Sequence, residues 1–192
     1  QRGVLPVIRG SDTIAQAQSG TGKTATFSIG VLQRIDTQSP HLQALIMAPT
    51  RELAQQIQRV VMCLSQYLKI VCYTCVGGTN IGEDKKRLKE GGIQVVVGTP
   101  GRVVDMINKK FINTDHLRIL VLDEADEMLT RGFIEDIKTV LGSVPSDIQV
   151  ALFSATMPPE ILEMTNQFLR NPIKILVKNE QLTLDGIKQY FI

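Results

Sequence analysis

The chain has 192 residues, 43% of them hydrophobic and 21% charged, with no tryptophan. That length buries a core without disulfides, and apolar runs of at most four or five residues cannot span a bilayer, so no membrane partner is expected. A net charge of +2 is too small to argue for a polyanionic partner from bulk electrostatics, and three cysteines, an odd number, point to a reducing compartment.

In chain order, residues 13–15 read as a short strand. A helix follows from about Lys23, with Phe27, Val31, Leu32 and Ile35 on one side. Residues 44–48 read as a buried strand, and Leu53, Ile57, Val60, Val61, Leu64 and Leu68 then recur at helical spacing. Strands are expected at 71–76, 94–97, 119–122 and 150–153, with helical segments near 84–89, 102–108, 133–141 and 159–169. Pro158 and Pro159 suit the start of the last helix, since a first-turn proline loses no intrahelical hydrogen bond. A final strand is expected at 173–177. Cys72 and Cys75 have metal-site spacing, but on a strand they point to opposite faces and no second pair completes a site, so they read as structural thiols. Lys85, Lys86, Arg87 and Lys89, flanked by Glu83, Asp84 and Glu90, read as a solvated helix face.

Repeated strand–helix alternation with apolar strands implies an α/β domain, a mostly parallel central sheet with helices on both faces. Ligands of such sheets bind beyond the carboxyl ends of the strands. The chemically distinctive segments fall there: Ala17 to Thr24, Pro49 to Ala54, Gly77 and Gly78, Thr99 to Arg102, Asp123 to Asp126, and Ser154 to Thr156. In the first, Ala17, Gln18, Ser19, Gly20, Thr21, Gly22, Lys23 and Thr24 form a glycine-rich turn between strand and helix. Its backbone N–H groups and the helix N-terminus favour a phosphate. Lys23 is expected at the β- and γ-phosphates, its ammonium exposed with phosphate as its only important partner, and the Thr24 hydroxyl on Mg²⁺. Ala17 departs from the general pattern, which has glycine there. Asp123 would hold the Mg²⁺ shell, partly through water, and Glu124 would act as general base beside the γ-phosphate of ATP.

Asp123, Glu124, Ala125 and Asp126 spell the motif of the DEAD-box RNA helicases, and the order A-x-x-G-x-G-K-T, P-T-R-E-L-A, G-G, T-P-G-R, D-E-A-D, S-A-T resembles that family throughout, Ala17 included. The stretches AQAQSGTGKTATF, VLDEADEML, SATMP and LTLDGIKQY are similar to its initiation-factor-4A-type subgroup, which comprises a translation factor and an exon-junction paralogue. The resemblance implies a RecA-like P-loop fold and an RNA-dependent ATPase that binds ATP and Mg²⁺ and separates short duplexes; an ATP-gated RNA clamp is the alternative. It implies that Thr50, Arg51, Gly77, Gly78, Thr99 and Arg102 hold single-stranded RNA by its backbone, and that Ser154 and Thr156 bond toward Asp126, coupling the two sites. A surface salt bridge is the competing role for Arg51 and Arg102. The expected partners are single-stranded RNA or a short duplex, a second RecA-like domain of the same protein, and a translation-initiation or exon-junction scaffold, in cytoplasm or alternatively nucleus. Residues 1–192 are expected to be the first RecA-like domain, truncated at its glutamine motif with Gln1 as that motif's neighbour, and lacking the second domain. A GTPase would want N-K-x-D, which residues 108–111 do not complete, and a DExH enzyme would want histidine at Asp126.

Overall fold

The apolar runs at 44–47, 95–97, 119–122 and 150–153 become strands whose two faces are both covered. The computed structural model describes residues 2–176. Its strands are β1 (Thr13–Gln16), β2 (Ala44–Met47), β3 (Cys72–Cys75), β4 (Val95–Gly98), β5 (Ile119–Asp123), β6 (Gln149–Ser154) and β7 (Ile173–Ile175). They form one sheet in the order β3-β4-β2-β5-β6-β1-β7. Every pairing is parallel, with Ile46 of β2 between Val97 of β4 and Val121 of β5. Parallel pairing brings all the strand ends that carry the distinctive segments to one edge, which is why residues far apart in sequence meet there.

The helices are α1 (Val4–Ile8), α2 (Lys23–Arg34), α3 (Arg51–Leu64), α4 (Ile81–Glu90), α5 (Pro100–Asn108), α6 (Ala125–Thr130), α7 (Ile134–Ser143) and α8 (Pro159–Phe168). Alternate strand residues feed two cores, as a pleat requires. On one face Ala44, Ile46, Val95, Val97 and Val121 meet Val7 of α1, Phe27 and Val31 of α2, and Ile57 and Val61 of α3. On the other, Leu45, Met47, Val96, Leu120 and Leu122 meet Val103 and Met106 of α5, Met128 of α6, Ile137 and Val140 of α7, and Ile161 of α8. Phe27 and Phe153 lie 5.2 Å apart, joining α2 to β6. Cys72 and Cys75 fall in opposite cores, and burial raises both thiols to about 12, so they are inert.

Some sequence expectations are corrected. Helix α3 ends at Leu64, and Leu64 and Leu68 are exposed rather than continuing the apolar face, because the chain turns at Ser65. Helices α1 and α6 were not anticipated. The strand expected at 173–177 forms over Ile173–Ile175; its last residue, like the LTLDGIKQY stretch, lies outside the described residues. No helix among the described residues is long and apolar enough to cross a membrane.

Two staples close the sheet's far end. The Asp12 carboxylate, almost wholly buried, accepts from Val150 N at 2.8 Å and Arg170 N at 2.6 Å. Gln149 Nε2 donates to the carbonyls of Val7 and Ser11 at 3.0 and 2.8 Å.

Candidate functional site

The turn from Ala17 to Thr24 leaves β1 with Ala17 N donating to Ser154 O at 3.1 Å, and Thr21 Oγ1 donating to Gln18 O at 2.7 Å. Gly22, at φ 89°, caps α2 in a left-handed conformation, with nothing within 4 Å of where a Cβ would stand. Backbone conformation, not crowding, therefore calls for glycine here, and the space beside it is open. Ser19, Gly20, Gly22, Lys23, Thr24, Asp123 and Glu124 line one cavity of about 370 Å³. Its far wall is Leu53, Gln56 and Val60 of α3, residues whose place here the sequence pattern did not signal.

Lys23 departs from expectation. Its side chain is 7% exposed, Nζ donating to Ala17 O at 2.8 Å and lying 3.2 Å from Glu124 Oε1. A buried ammonium needs such partners, and the carboxylate that closes β5 supplies one. Asp123 is also buried, and burial together with the adjacent Glu124 carboxylate pushes its pKa up to about 7 against the pull of Lys23. Glu124 adopts φ 51°, ψ 54°, an unfavourable conformation for a non-glycine residue of the kind that gathers at functional sites. These residues put two carboxylates, two hydroxyls and one ammonium around a hollow with a helix N-terminus at its floor. Thr24 and Asp123 are hard oxygen donors of the type that suits Mg²⁺.

Beyond Glu124, Asp126 joins the ends of β5 and β6. Its Oδ2 accepts from Thr156 N at 3.0 Å and Thr156 Oγ1 at 2.7 Å, while Asp126 N donates to Ser154 Oγ at 3.2 Å. Burial pushes this carboxyl up, but the hydrogen bonds from Thr156 and Ser154 outweigh it and hold it below the ordinary range.

A third group gathers at β2, β3 and β4. Thr50 caps α3, its hydroxyl accepting from Leu53 N at 3.2 Å. Gly77 N donates to Thr99 Oγ1 at 3.2 Å, tying the turn after β3 to the start of α5. The Arg51 guanidinium lies over Gly78, where any Cβ would collide with it. Arg102 is not the surface residue expected. With its side chain 10% exposed, it bonds Asp84 Oδ2 through Nη1 and Thr79 O through Nη2 at 3.0 Å. Asp84, read from the sequence as part of a solvated face, is buried and also accepts from Tyr73 OH at 2.6 Å. Helix α3 links the clusters, since Thr50 and Arg51 stand at its start and Leu53, Gln56 and Val60 wall the cavity.

With this geometry in place, comparison with known proteins is decisive. The family model described as DEAD/DEAH box helicase matches residues 1–165. The chain belongs to that family. It is 60% identical over 192 residues to eukaryotic initiation factor 4A of Drosophila melanogaster, covering 47% of that protein, and 59% identical to the factor of Caenorhabditis elegans, covering 48%. It is 61% identical over 191 residues to the ATP-dependent RNA helicase eIF4A of Mycosarcoma maydis, covering 46%. The chain thus spans about half the length of the curated relatives it matches. A crystal structure of a DEAD box protein from the hyperthermophile Methanococcus jannaschii superposes with a TM-score of 0.87 at 35% identity, over 91% of this chain and 48% of that one. This DEAD-box chain accordingly has the RecA-like α/β fold, with its family motifs on the carboxyl edge.

Proposed function

We propose that this chain is the first RecA-like domain of an ATP-dependent RNA helicase of translation initiation, working in the cytoplasm. The observation that carries the reading is the shared cavity of Lys23, Thr24, Asp123 and Glu124 beside the open glycine turn. Backbone N–H groups from Ser19 to Thr24 receive the phosphates. Thr24 and Asp123 would hold Mg²⁺, which when bound neutralises charge developing on the phosphates. Lys23 exchanges Glu124 for phosphate oxygen, and the released Glu124 carboxylate accepts the proton of the attacking water.

RNA lies along Thr50, Arg51, Gly77, Gly78 and Thr99, held by its sugar–phosphate backbone and not by its bases. The hydrogen bonds of Asp126 to Ser154 and Thr156 connect that strand of contacts to the nucleotide, so closure at one side is felt at the other. A second RecA-like domain of the full-length protein completes both sites, which accords with the relatives' being about twice as long. A translation-initiation scaffold is the proposed protein partner.

The test is ATP hydrolysis by the full-length protein with and without unstructured RNA. Turnover should rise with RNA and be indifferent to its sequence. Turnover independent of RNA, or a strong preference for one oligonucleotide over composition-matched controls, contradicts the reading.

A further inference from the structure

The two arginines of the proposed RNA edge differ in their surroundings. Arg51 is exposed, over Gly78, and among the described residues no hydrogen bond or ion pair engages its guanidinium. Arg102 is the opposite case. Nη1 is on Asp84 Oδ2 and 3.3 Å from Thr79 Oγ1, and Nη2 is on Thr79 O. Asp84 is in turn fixed by the Tyr73 hydroxyl, which burial and the Asp84 carboxylate hold protonated well above its ordinary range. The charge of Arg102 is therefore cancelled inside the fold, and its planar fork is spent on the carbonyl and hydroxyl of the turn that follows Gly78.

We propose that Arg102, with Asp84 and Tyr73 behind it, is a positioning residue that sets the turn from Gly77 to Thr79 for RNA, and that Arg51 supplies the phosphate-neutralising charge. This rests on the reading of the edge as an RNA site. Three hydrogen bonds converge on the turn. Thr99 holds Gly77 N, Arg102 holds Thr79 O, and Thr79 Oγ1 donates back to Val76 O at 2.8 Å. The turn must stay shallow for a backbone to approach Gly78, whose φ of 77° and overlying Arg51 leave no room for a side chain. Asp84 acts through Arg102 and does not touch RNA.

Counterion release separates the two roles, because only a residue that neutralises a phosphate contributes to the salt dependence, about 0.7 per contact on a single strand. The experiment measures oligouridylate affinity of the full-length protein across a salt series, with Mg²⁺ and a non-hydrolysable ATP analogue. Arg51→Gln should lower the slope of log affinity against log salt by about 0.7. Arg102→Gln should weaken binding on the order of tenfold with the slope unchanged. Arg102→Lys should weaken it as much, since an ammonium keeps the charge but not the fork. Tyr73→Phe should weaken it in the same slope-preserving way while leaving every cation in place.

If Arg102→Gln does not fold because it strands Asp84, the pair Asp84→Asn with Arg102→Gln removes both charges together and gives the same reading. A slope reduced by about 0.7 on loss of Arg102, or Arg102→Lys binding like the parent, overturns the proposal while leaving the RNA site standing. A parent protein that does not bind the oligouridylate overturns the RNA reading and this proposal with it.

Discussion

Lys23→Ala tests whether the ammonium is a structural member of the site before any nucleotide arrives. The substitution removes the hydrogen bond to Ala17 O at 2.8 Å and the ion pair to Glu124 at 3.2 Å. A net hydrogen bond contributes about 1 kcal/mol. Breaking a fully buried pair costs about 3–5 kcal/mol. The Glu124 side chain is 23% exposed, however, so water recovers a large part of that cost. Asp123 also loses the cation that draws its pKa down and takes up a proton more readily, which relieves some of the repulsion from Glu124. The sum is a loss of about 2–4 kcal/mol, or a fall in Tm of roughly 5–15 °C for a domain of this size. Thermal unfolding in nucleotide-free buffer measures it, beside calorimetry of nucleotide binding, which should also be lost. A variant that loses nucleotide affinity yet melts within about 2 °C of the parent would exclude a structural role for the ammonium. Lys23 would then be the free ammonium that its motif alone implies.

Glu124→Gln should preserve nucleotide and RNA binding and slow hydrolysis by about 10²–10⁴-fold in a single-turnover assay; hydrolysis at the parent rate removes Glu124 from the role of base. Thr156→Val keeps the backbone N–H on Asp126 but deletes the hydroxyl bond. Because that carboxyl is held below its ordinary value in the folded chain, its contribution is present at neutral pH and fades as pH falls through the folded pKa. The stability gap between Thr156→Val and the parent should thus be widest above about pH 5 and close on acidification, and a gap independent of pH contradicts the assignment. Asp12→Ala strands the amides of Val150 and Arg170, costing roughly 2–4 kcal/mol in urea unfolding, and an unchanged midpoint would show that neither bond matters.

The sheet and its glycine turn were legible because their signals are local. Apolar runs such as residues 119–122 mark two-sided burial, and the glycines before Lys23 and Thr24 mark a turn that only they adopt easily. The parts that escaped depend on distant partners. Asp84 sits among lysines and reads as solvated, yet the β3–β4 pairing and the start of α5 bring Tyr73 and Arg102 onto it. Lys23 reads as exposed until β5 places Glu124 beside it. Helix α1 is five residues long, includes Pro6, has no capping side chain and no acidic first turn, so no local pattern announces it. Leu68 kept the helical period after the backbone had already left the helix.

In the proposed mechanism one sheet edge binds nucleotide and RNA together and couples them through Asp126, Ser154 and Thr156. The most direct measurement is the ATP-analogue affinity of the full-length protein with and without saturating unstructured RNA, paired with the converse titration. Coupled sites must change each other's affinity by one common factor, and couplings of this kind run to about 5–150-fold. Mutual tightening by the same factor is expected in both titrations, diminished in Thr156→Val. Affinities that ignore the other ligand would contradict it.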